Sequence, residues 1–235
     1  MLPMAVLCGG LATRMYPMTE RIPKSLIEVG GRPFIFRQLD LFREKGLNKI
    51  VLCAGKFGEM IRDRVGDGGE FGLDVSYSFD GDQLLGTGGA IRKALPLLGD
   101  AFFVVYGDSY LECDYKTVEK AFLDAPDAGG LMTVYENRDR YDSSNVVFRD
   151  NQILVYDKKN KTPEMAYIDY GLGILRRETM SSASDAPPFD LSDVYTRLSK
   201  EGRLAGVEMT RRFYEIGSPE GLAELDKRFR NGEDA

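Results

Sequence analysis

The sequence predicts an α/β fold: a Rossmann-like, mostly parallel sheet covered by helices on both faces. Short and almost continuous apolar runs, such as residues 4–8 and 102–106, are typical of strands that are buried on both sides. Amphipathic segments of helical length separate these runs, as expected for βα units. The chain has 235 residues, which is long enough to bury a sizeable core.

The first half of the chain alternates between strands and helices. Strands are expected at residues 4–8, 49–54, 74–78 and 102–106, and helices at residues 34–45, 57–65 and 89–98. Gly46 follows the first helix as its C′ residue, because glycine readily adopts the left-handed conformation that ends a helix.

The second half predicts a small antiparallel insertion on this parallel core. Strands are expected at residues 131–135, 145–149, 153–156 and 171–175, and helices at residues 115–124, 191–201 and 218–229. Asp150 and Asn151 lie between two of these strands as a hairpin turn. Asp190 and Ser218 are the expected N-caps of the last two helices, with Pro219 at the first position of the final one.

Charge and composition exclude several classes of function. The net charge of −6 argues against a general polyanion binder, so nucleic acid is not an expected partner. No apolar run approaches the ~20 residues of a membrane span, and the N-terminus lacks the pattern of a signal peptide. We therefore expect a cytoplasmic protein with no membrane partner.

Histidine is absent, which excludes Ser-His and Cys-His nucleophilic catalysis and any imidazole metal site. The three cysteines, Cys8, Cys53 and Cys113, are widely spaced and form no C-x-x-C pair. This spacing favours small buried hydrophobic residues over a disulfide framework or a zinc site.

A glycine turn and two cations follow the first strand. Gly9 and Gly10 come directly after it, and Arg14 and Lys24 come shortly after them. Open α/β sheets bind ligands at the carboxyl ends of their strands, where glycines expose N–H donors and cations add charge for phosphate oxygens. The alternative is an ordinary tight turn with solvated charges, which the ordered series of glycines, threonine, arginine, prolines and lysine argues against. The pattern is neither a Walker A loop nor a G-x-G-x-x-G turn, and it predicts a nucleoside triphosphate site.

This segment resembles the signature of the nucleotide-sugar pyrophosphorylases, which join a nucleoside triphosphate to a sugar 1-phosphate and release pyrophosphate. Their signature is G-G-x-G-T-R-x-x-P-x-T followed by P-K, and residues 9–19 with Pro23 and Lys24 match it, except that Ala12 replaces the third glycine. The resemblance covers nearly the whole chain. The length of the chain is similar to that of short members of this family, such as muramic acid 1-phosphate uridylyltransferases and heptose 1-phosphate guanylyltransferases.

The resemblance implies a GT-A-like nucleotidyltransferase fold with Mg²⁺ as cofactor. Its implied partners are a nucleoside triphosphate and a sugar 1-phosphate, and a homo-oligomer is left open. One domain is expected over residues 1–235, with a nucleotide-binding part at about 1–110, an acceptor-binding part at about 111–217 and a C-terminal helix at about 218–230.

Two carboxylates are the metal ligands that the resemblance implies. Asp108 follows a buried strand, and Glu215 stands where relatives have an aspartate. A hard oxygen ligand at a strand end suits Mg²⁺ that bridges triphosphate oxygens. Alternatively, Asp108 is an ordinary aspartate of a turn. The alternative for Glu215 is a negative charge that stabilises the N-terminus of the next helix through its dipole.

The remaining site residues follow from the same resemblance. The expected catalytic cations are Arg14 and Lys24. Nucleotide binding is expected of Leu7, Gly9, Gly10, Thr13, Gln83, Gly88 and Gly89. Acceptor binding is expected of Tyr106, Lys158, Asp169, Tyr170 and Gly171. The alternatives are a sharp glycine-rich loop for Gly88 and Gly89, a solvated charge run for Lys158 and ordinary strand packing for the tyrosines.

Three other functions compete with this one. Tyr110, Tyr167 and Tyr170 allow an aromatic cage for a quaternary amine, as in a phosphocholine cytidylyltransferase. A catalytically silent sensor of nucleotide sugars is a second alternative, which the retained Arg14, Lys24 and Asp108 argue against. The nucleotide domain of a dehydrogenase is a third, but the first turn has the wrong glycine spacing for it.

Overall fold

A computed structural model of the protein describes residues 1–181 and 186–232. Within these residues, nine strands form one mixed sheet in the order β5-β4-β1-β6-β11-β8-β12-β10-β9. The strands are β1 (Met4–Leu7), β4 (Lys49–Ala54), β5 (Asp74–Phe79), β6 (Ala101–Tyr106), β8 (Gly130–Glu136), β9 (Val146–Arg149), β10 (Gln152–Tyr156), β11 (Tyr167–Arg176) and β12 (Leu204–Glu208).

The sheet is parallel across its first half and becomes mixed beyond β6. Strands β5, β4, β1 and β6 run parallel, with Leu7 of β1 beside Cys53 of β4 and Tyr106 of β6. β11 is antiparallel to both β6 and β8, β12 is parallel to β8, and β10 is antiparallel to β12 and β9. The carboxyl ends of the four parallel strands therefore lie at one edge of the sheet.

Helices cover both faces of this sheet. They are α1 (Phe34–Glu44), α2 (Gly58–Val65), α3 (Gly86–Ala94), α4 (Tyr115–Leu123), α5 (Arg177–Ser181), α6 (Leu191–Lys200) and α7 (Pro219–Arg230). Met4 and Val6 pack with residues of α1, α2 and α4, whereas Ala5 packs with residues of α3 and α6. This alternation along β1 follows from the two-residue period of a strand. Among the described residues, no helix is both long and apolar enough to cross a membrane.

Two short ladders attach the C-terminal helix. β2 (Glu28–Val29) pairs with β3 (Arg32–Pro33), and β7 (Ser109–Tyr110) pairs with β13 (Tyr214–Glu215). Val29, Phe34 and Tyr110 pack with Ile216 and Leu225 in a separate small core. The ladder between β7 and β13 brings the segment after Asp108 beside Glu215.

The predicted α/β class is confirmed, and most predicted elements lie where they were expected. Asp150 and Asn151 both have positive φ, as a two-residue hairpin turn requires. Gly46 has φ +86°, and the Ser218 hydroxyl accepts a hydrogen bond from the Gly221 N–H as an N-cap. Asp190 holds the N-cap position of α6, but its side chain makes no capping bond and accepts from the Thr87 hydroxyl instead.

Several features differ from the prediction, among them α5 and the short strands β2, β3, β7 and β13, which were not predicted. α3 spans Gly86–Ala94 rather than residues 89–98, and a 3₁₀ turn at Leu95–Leu97 replaces its last part. Pro96 accounts for this end, because proline lacks the N–H that an α-helix would use there. β12 was not predicted, and it lies between β8 and β10.

Candidate active site

The glycine turn after β1 lies at the carboxyl ends of three strands. The Cys8 N–H donates to the Cys53 carbonyl, and the Gly107 N–H donates to the Leu7 carbonyl, each at 2.9 Å. A Cβ on Gly9 would lie 2.9 Å from the nitrogen of Gly55, and a Cβ on Gly55 would overlap the Gly9 carbonyl. Both positions therefore need glycine, because the two loops approach each other without room for a side chain.

Ala12 adopts the left-handed conformation that a glycine would adopt more easily. Its φ is 50° and its ψ is 42°, and its carbonyl accepts from the Thr19 hydroxyl at 2.8 Å and from the Met15 N–H at 2.9 Å. Holding an alanine in this conformation costs about 1 kcal/mol. These bonds keep the loop in the shape that a third glycine would permit.

A cavity of about 260 Å³ opens beside this turn. Its walls come from the carboxyl ends of the parallel strands, the start of α3 and the segment before α6. They include Leu7, Cys8, Gly9, Gly10, Ala12, Lys24, Ser25, Cys53, Asp80, Leu84, Gly86, Thr87, Ala90, Tyr106, Gly107, Asp108 and Asp190. The lining combines backbone donors of the glycine turn, one lysine and an apolar wall.

A second and more polar cavity, of about 740 Å³, lies next to the first. Its walls include Arg14, Lys158, Asp169, Tyr170 and Gly171, together with Glu215 and the loop around Ser144. Tyr106 and Asp108 line both cavities. Asp108 therefore stands at the border between the two spaces.

Lys24 and Asp108 form an ion pair at this border. The Lys24 Nζ lies 2.5 Å from Asp108 Oδ2, and the two side chains are only 18% and 24% exposed. Hydrogen bonds between charged groups are strong, and partial burial reduces their screening by solvent. The pair fixes a cation at the point where the two cavities meet.

Glu215 and Arg14 converge on the same place. The two carboxylate oxygens of Glu215 accept from the Gly217 N–H and from the Ser218 hydroxyl, the latter at 2.8 Å. A Cβ added to Gly217 would overlap Glu215 Oε2 and would lie 3.2 Å from both Asp108 Oδ2 and Arg14 Nη2. Gly217 therefore leaves the space in which these three charged groups face one another.

The donor set fits Mg²⁺. Asp108 and Glu215 offer carboxylate oxygens on either side of the space beside Gly217, and Mg²⁺ prefers one or two carboxylates together with substrate phosphates and water. The described residues contain no group of three or more histidine, cysteine or acidic side chains that would form a complete protein cage. Such a site would take its remaining ligands from a bound nucleotide and water.

Lys158 and Asp169 both line the larger cavity. The Lys158 Nζ lies 5.4 Å from the centre of the Tyr106 ring and 5.9 Å from that of Tyr156. Burial raises the pKa of the Asp169 carboxyl, while the Lys158 charge and the Gly171 N–H, which donates to Oδ1 at 3.0 Å, oppose this rise. The cation and the carboxylate give this cavity groups for a phosphate and for hydroxyls, respectively.

Comparison with known proteins shows the family to which the chain belongs. Residues 4–228 match the profile of a protein family described as nucleotidyl transferase. The chain belongs to the nucleotidyl transferase family. An N-acetylmuramate alpha-1-phosphate uridylyltransferase of Neisseria meningitidis is 28% identical over 216 residues, which are 91% of this chain and 92% of that protein.

A D-glycero-alpha-D-manno-heptose 1-phosphate guanylyltransferase of Campylobacter jejuni is 26% identical over 217 residues, which are 92% of this chain and 94% of that protein. The crystal structure of the protein HddC from Yersinia pseudotuberculosis superimposes with a TM-score of 0.82 over 97% of this chain and all of that one, at 24% identity. The sequences of the two relatives align with more than 90% of this chain, and the superimposed structure has the same fold over nearly all of it.

The structure brings most of the predicted site residues to the two cavities of this nucleotidyltransferase. Leu7, Gly9, Gly10 and Lys24 line the smaller one. Arg14 lines the larger cavity together with Asp108 and Glu215. It therefore lies on the side of the site where the acceptor was expected. Tyr170 also borders this cavity, but it is only 1% exposed and packs edge-on against Phe213.

Four residues predicted to bind the nucleotide are not among those that line either cavity: Thr13, Gln83, Gly88 and Gly89. Thr13 and Gln83 are exposed. Gly88 and Gly89 are buried against the segment before α6, and the Gly88 N–H donates to the Phe189 carbonyl at 3.0 Å. Their small size serves packing in this structure, because a Cβ on Gly88 would overlap the Phe189 ring.

The aromatic cage considered for a quaternary amine does not form. Tyr110 packs on Phe229, Tyr167 on Phe148 and Tyr170 on Phe213. The three tyrosines thus lie in three different hydrophobic clusters. Tyr167 and Tyr170 lie on β11 and Tyr110 lies on β7, and each ring packs on a different aromatic partner.

Sequence reasoning missed several residues that line the smaller cavity. Asp80 follows β5 just as Asp108 follows β6, so the strand-end position was available as a signal. Ser25 lies beside Lys24, and its buried hydroxyl has no hydrogen-bond partner among the described residues. Thr87 and Asp190 meet only through the packing of α3 on α6, which local sequence does not reveal.

Replacing Gly88 by alanine is expected to destabilise the fold by about 1–3 kcal/mol, because the new methyl group must displace the buried Phe189 ring. Thermal unfolding measures this as a lower Tm. Gly99→Ala is the matched control, since the nearest atom to its Cβ would be at an ordinary 3.6 Å. Equal Tm values for the two variants would show that Gly88 is not constrained by Phe189.

Proposed function

We propose that this nucleotidyltransferase transfers a nucleotidyl group from a nucleoside triphosphate to a sugar 1-phosphate and releases pyrophosphate, with Mg²⁺ as cofactor. The observation that carries the proposal is the position of Asp108 and its ion pair with Lys24 between two adjoining cavities. The smaller cavity, with its glycine turn, suits the triphosphate. The larger and more polar cavity suits the phosphorylated sugar.

Transfer of this kind needs positioning and charge stabilisation more than acid–base chemistry. A sugar phosphate has a second pKa near 6, so at pH 7 its phosphate is largely a dianion and already a nucleophile. One of its oxygens attacks the α-phosphorus, the bond from that phosphorus to the bridging oxygen breaks, and this oxygen leaves with pyrophosphate. The absence of histidine is therefore compatible with the reaction.

The side chains at the border have distinct roles in this proposal. Lys24 neutralises charge around the α-phosphoryl group, and Arg14 and Lys158 neutralise charge on the side of the acceptor. Asp169 accepts hydrogen bonds from sugar hydroxyls. Asp108 and Glu215 would hold Mg²⁺, which when bound supplies charge that stabilises the phosphate oxygens.

The names of the relatives support this substrate class. The relatives from Neisseria meningitidis and Campylobacter jejuni are named as transferases that act on sugar 1-phosphates. They differ in the nucleotide, which is a uridylyl group in one and a guanylyl group in the other. Nucleoside triphosphates are cytoplasmic metabolites, which also supports a cytoplasmic location.

A pyrophosphate-release assay tests the proposal. Purified protein with Mg²⁺ is offered UTP, GTP, CTP or dTTP, each with a panel of sugar 1-phosphates and with phosphocholine. We expect release that requires both a nucleoside triphosphate and a sugar 1-phosphate. Release with phosphocholine alone would reject the sugar acceptor, and binding without release in every combination would favour the catalytically silent sensor.

A further inference from the structure

Asp80 is a nearly buried acid in the wall of the smaller cavity. It follows β5 at its carboxyl end and is 9% exposed. Its Oδ2 accepts a long hydrogen bond of 3.4 Å from the Leu85 N–H, and its backbone carbonyl accepts from the Lys93 Nζ at 3.0 Å. Among the described residues, no donor forms a hydrogen bond with Oδ1. The carboxylate thus has unused acceptor capacity beside the cavity.

The strand order places Asp80 far from the proposed site of phosphate transfer. β5 is separated from β6 by β4 and β1, so Asp80 and Asp108 stand at the ends of strands three places apart. With about 4.8 Å between neighbouring strands, this separation is roughly 14 Å. The cavity therefore runs along the sheet edge from Asp80 at one end to Asp108 at the other.

Charge then fixes the direction in which a nucleotide would lie. The Lys24 ammonium and the glycine turn lie toward the Asp108 end, and they suit the phosphates. A triphosphate would be repelled by the Asp80 carboxylate. The wall near Asp80 includes the apolar side chains of Leu84 and Ala90 and the uncharged Cys53, which suit the flat face of a base.

A carboxylate at the base end distinguishes the bases by their donors. The Watson–Crick edge of guanine presents two adjacent donors, N1–H and N2–H, which match the two oxygens of one carboxylate. Uracil and thymine present one donor between two carbonyl oxygens. Cytosine and adenine present an amino group beside a ring nitrogen whose lone pair a carboxylate repels.

We propose that Asp80 selects guanine, so that GTP is the nucleotide of this enzyme. The inference rests on the proposed function for the orientation of the nucleotide and deepens it by naming the base. Burial raises the pKa of the Asp80 carboxyl, an effect that the Leu85 N–H and the Lys93 charge oppose. Two donors from guanine would further offset the desolvation of the ionised carboxylate.

Nucleotide binding without acceptor tests the proposal by isothermal titration calorimetry in the presence of Mg²⁺. GTP is expected to bind more tightly than UTP, CTP or ATP. Inosine triphosphate lacks the 2-amino group of guanine and is expected to bind roughly 10- to 100-fold more weakly than GTP, through the loss of one charge-assisted hydrogen bond. Tighter binding of UTP, or equal binding of GTP and inosine triphosphate, would overturn the assignment.

Asp80→Asn provides a gain of binding that a misfolded variant cannot imitate. The amide offers one acceptor and one donor, which match the N1–H and O2 of xanthine but not the two donors of guanine. We expect this variant to lose affinity for GTP and to bind xanthosine triphosphate more tightly than the unmodified protein does. Asp74→Asn, at the other end of β5, is the control and is expected to leave the order of affinities unchanged.

The two proposals fail separately. Pyrophosphate release from UTP and a sugar 1-phosphate, with no preference for GTP, would keep the proposed function and reject the role of Asp80. Preferential GTP binding that responds to Asp80→Asn, with no transfer to any sugar 1-phosphate, would keep the role of Asp80 and reject the proposed function.

Discussion

Lys24→Ala is expected to lower kcat/KM by roughly 10²- to 10³-fold, as the loss of a preorganised charge at a transition state does. The Lys24 ammonium is mostly shielded from solvent and lies 2.5 Å from Asp108, so water replaces it poorly. The measurement is initial-rate pyrophosphate release with the substrate pair found in the screen. Circular dichroism checks that the variant remains folded.

Lys120→Ala is the matched control for Lys24→Ala. Lys120 also pairs with an aspartate, Asp124, but the two side chains are 75% and 63% exposed and lie on the last turn of α4 and at its C-cap. Exposed pairs of this kind contribute little to stability. If Lys24→Ala retained a kcat/KM within threefold of the control, Lys24 would have no place in the transfer step.

Asp108→Asn is expected to reduce kcat by at least roughly 10²-fold and to raise the Mg²⁺ concentration needed for half-maximal rate. The amide keeps the size of the side chain but removes the negative charge that faces Lys24 and borders Glu215. The measurement is a Mg²⁺ titration of the rate at saturating substrates. Because Lys24 loses its partner in this variant, a thermal unfolding curve accompanies the kinetics.

Asp124→Asn serves as the control for charge removal, since it breaks only the exposed pair at the C-terminal end of α4. It is expected to leave both the rate and the Mg²⁺ dependence unchanged. An unaltered Mg²⁺ titration in Asp108→Asn would argue that this carboxylate holds no metal and serves only to orient Lys24.

The parallel half of the fold could be predicted because its signals are local. β1 and β6 are apolar runs, and the turn at Asp150 and Asn151 uses residues that tolerate positive φ. β12 could not be predicted, because Leu204–Glu208 contains alanine and glycine and has weak strand propensity. It becomes a strand through distant packing, since Gly206 leaves the room that Phe148 and Ile153 occupy.

The residues of the candidate site also differ in whether local sequence or distant packing determines their role. Gly9, Lys24 and Asp108 follow strand ends or belong to a compact motif, so their convergence could be expected from sequence. The packing role of Gly88 depends on Phe189, which lies about a hundred positions later in the chain. A glycine near a helix start is equally compatible with a ligand contact and with close packing, and only the tertiary partner decides between them.

The left-handed Ala12 also affects the thermodynamics of nucleotide binding. A glycine there would sample many backbone conformations in the free protein, whereas alanine is restricted to fewer. The carbonyl of Ala12 is held by Thr19 and Met15 before any ligand arrives. The ordering of this loop is thus completed during folding, and a nucleotide that binds to it loses less entropy than it would on a flexible glycine loop.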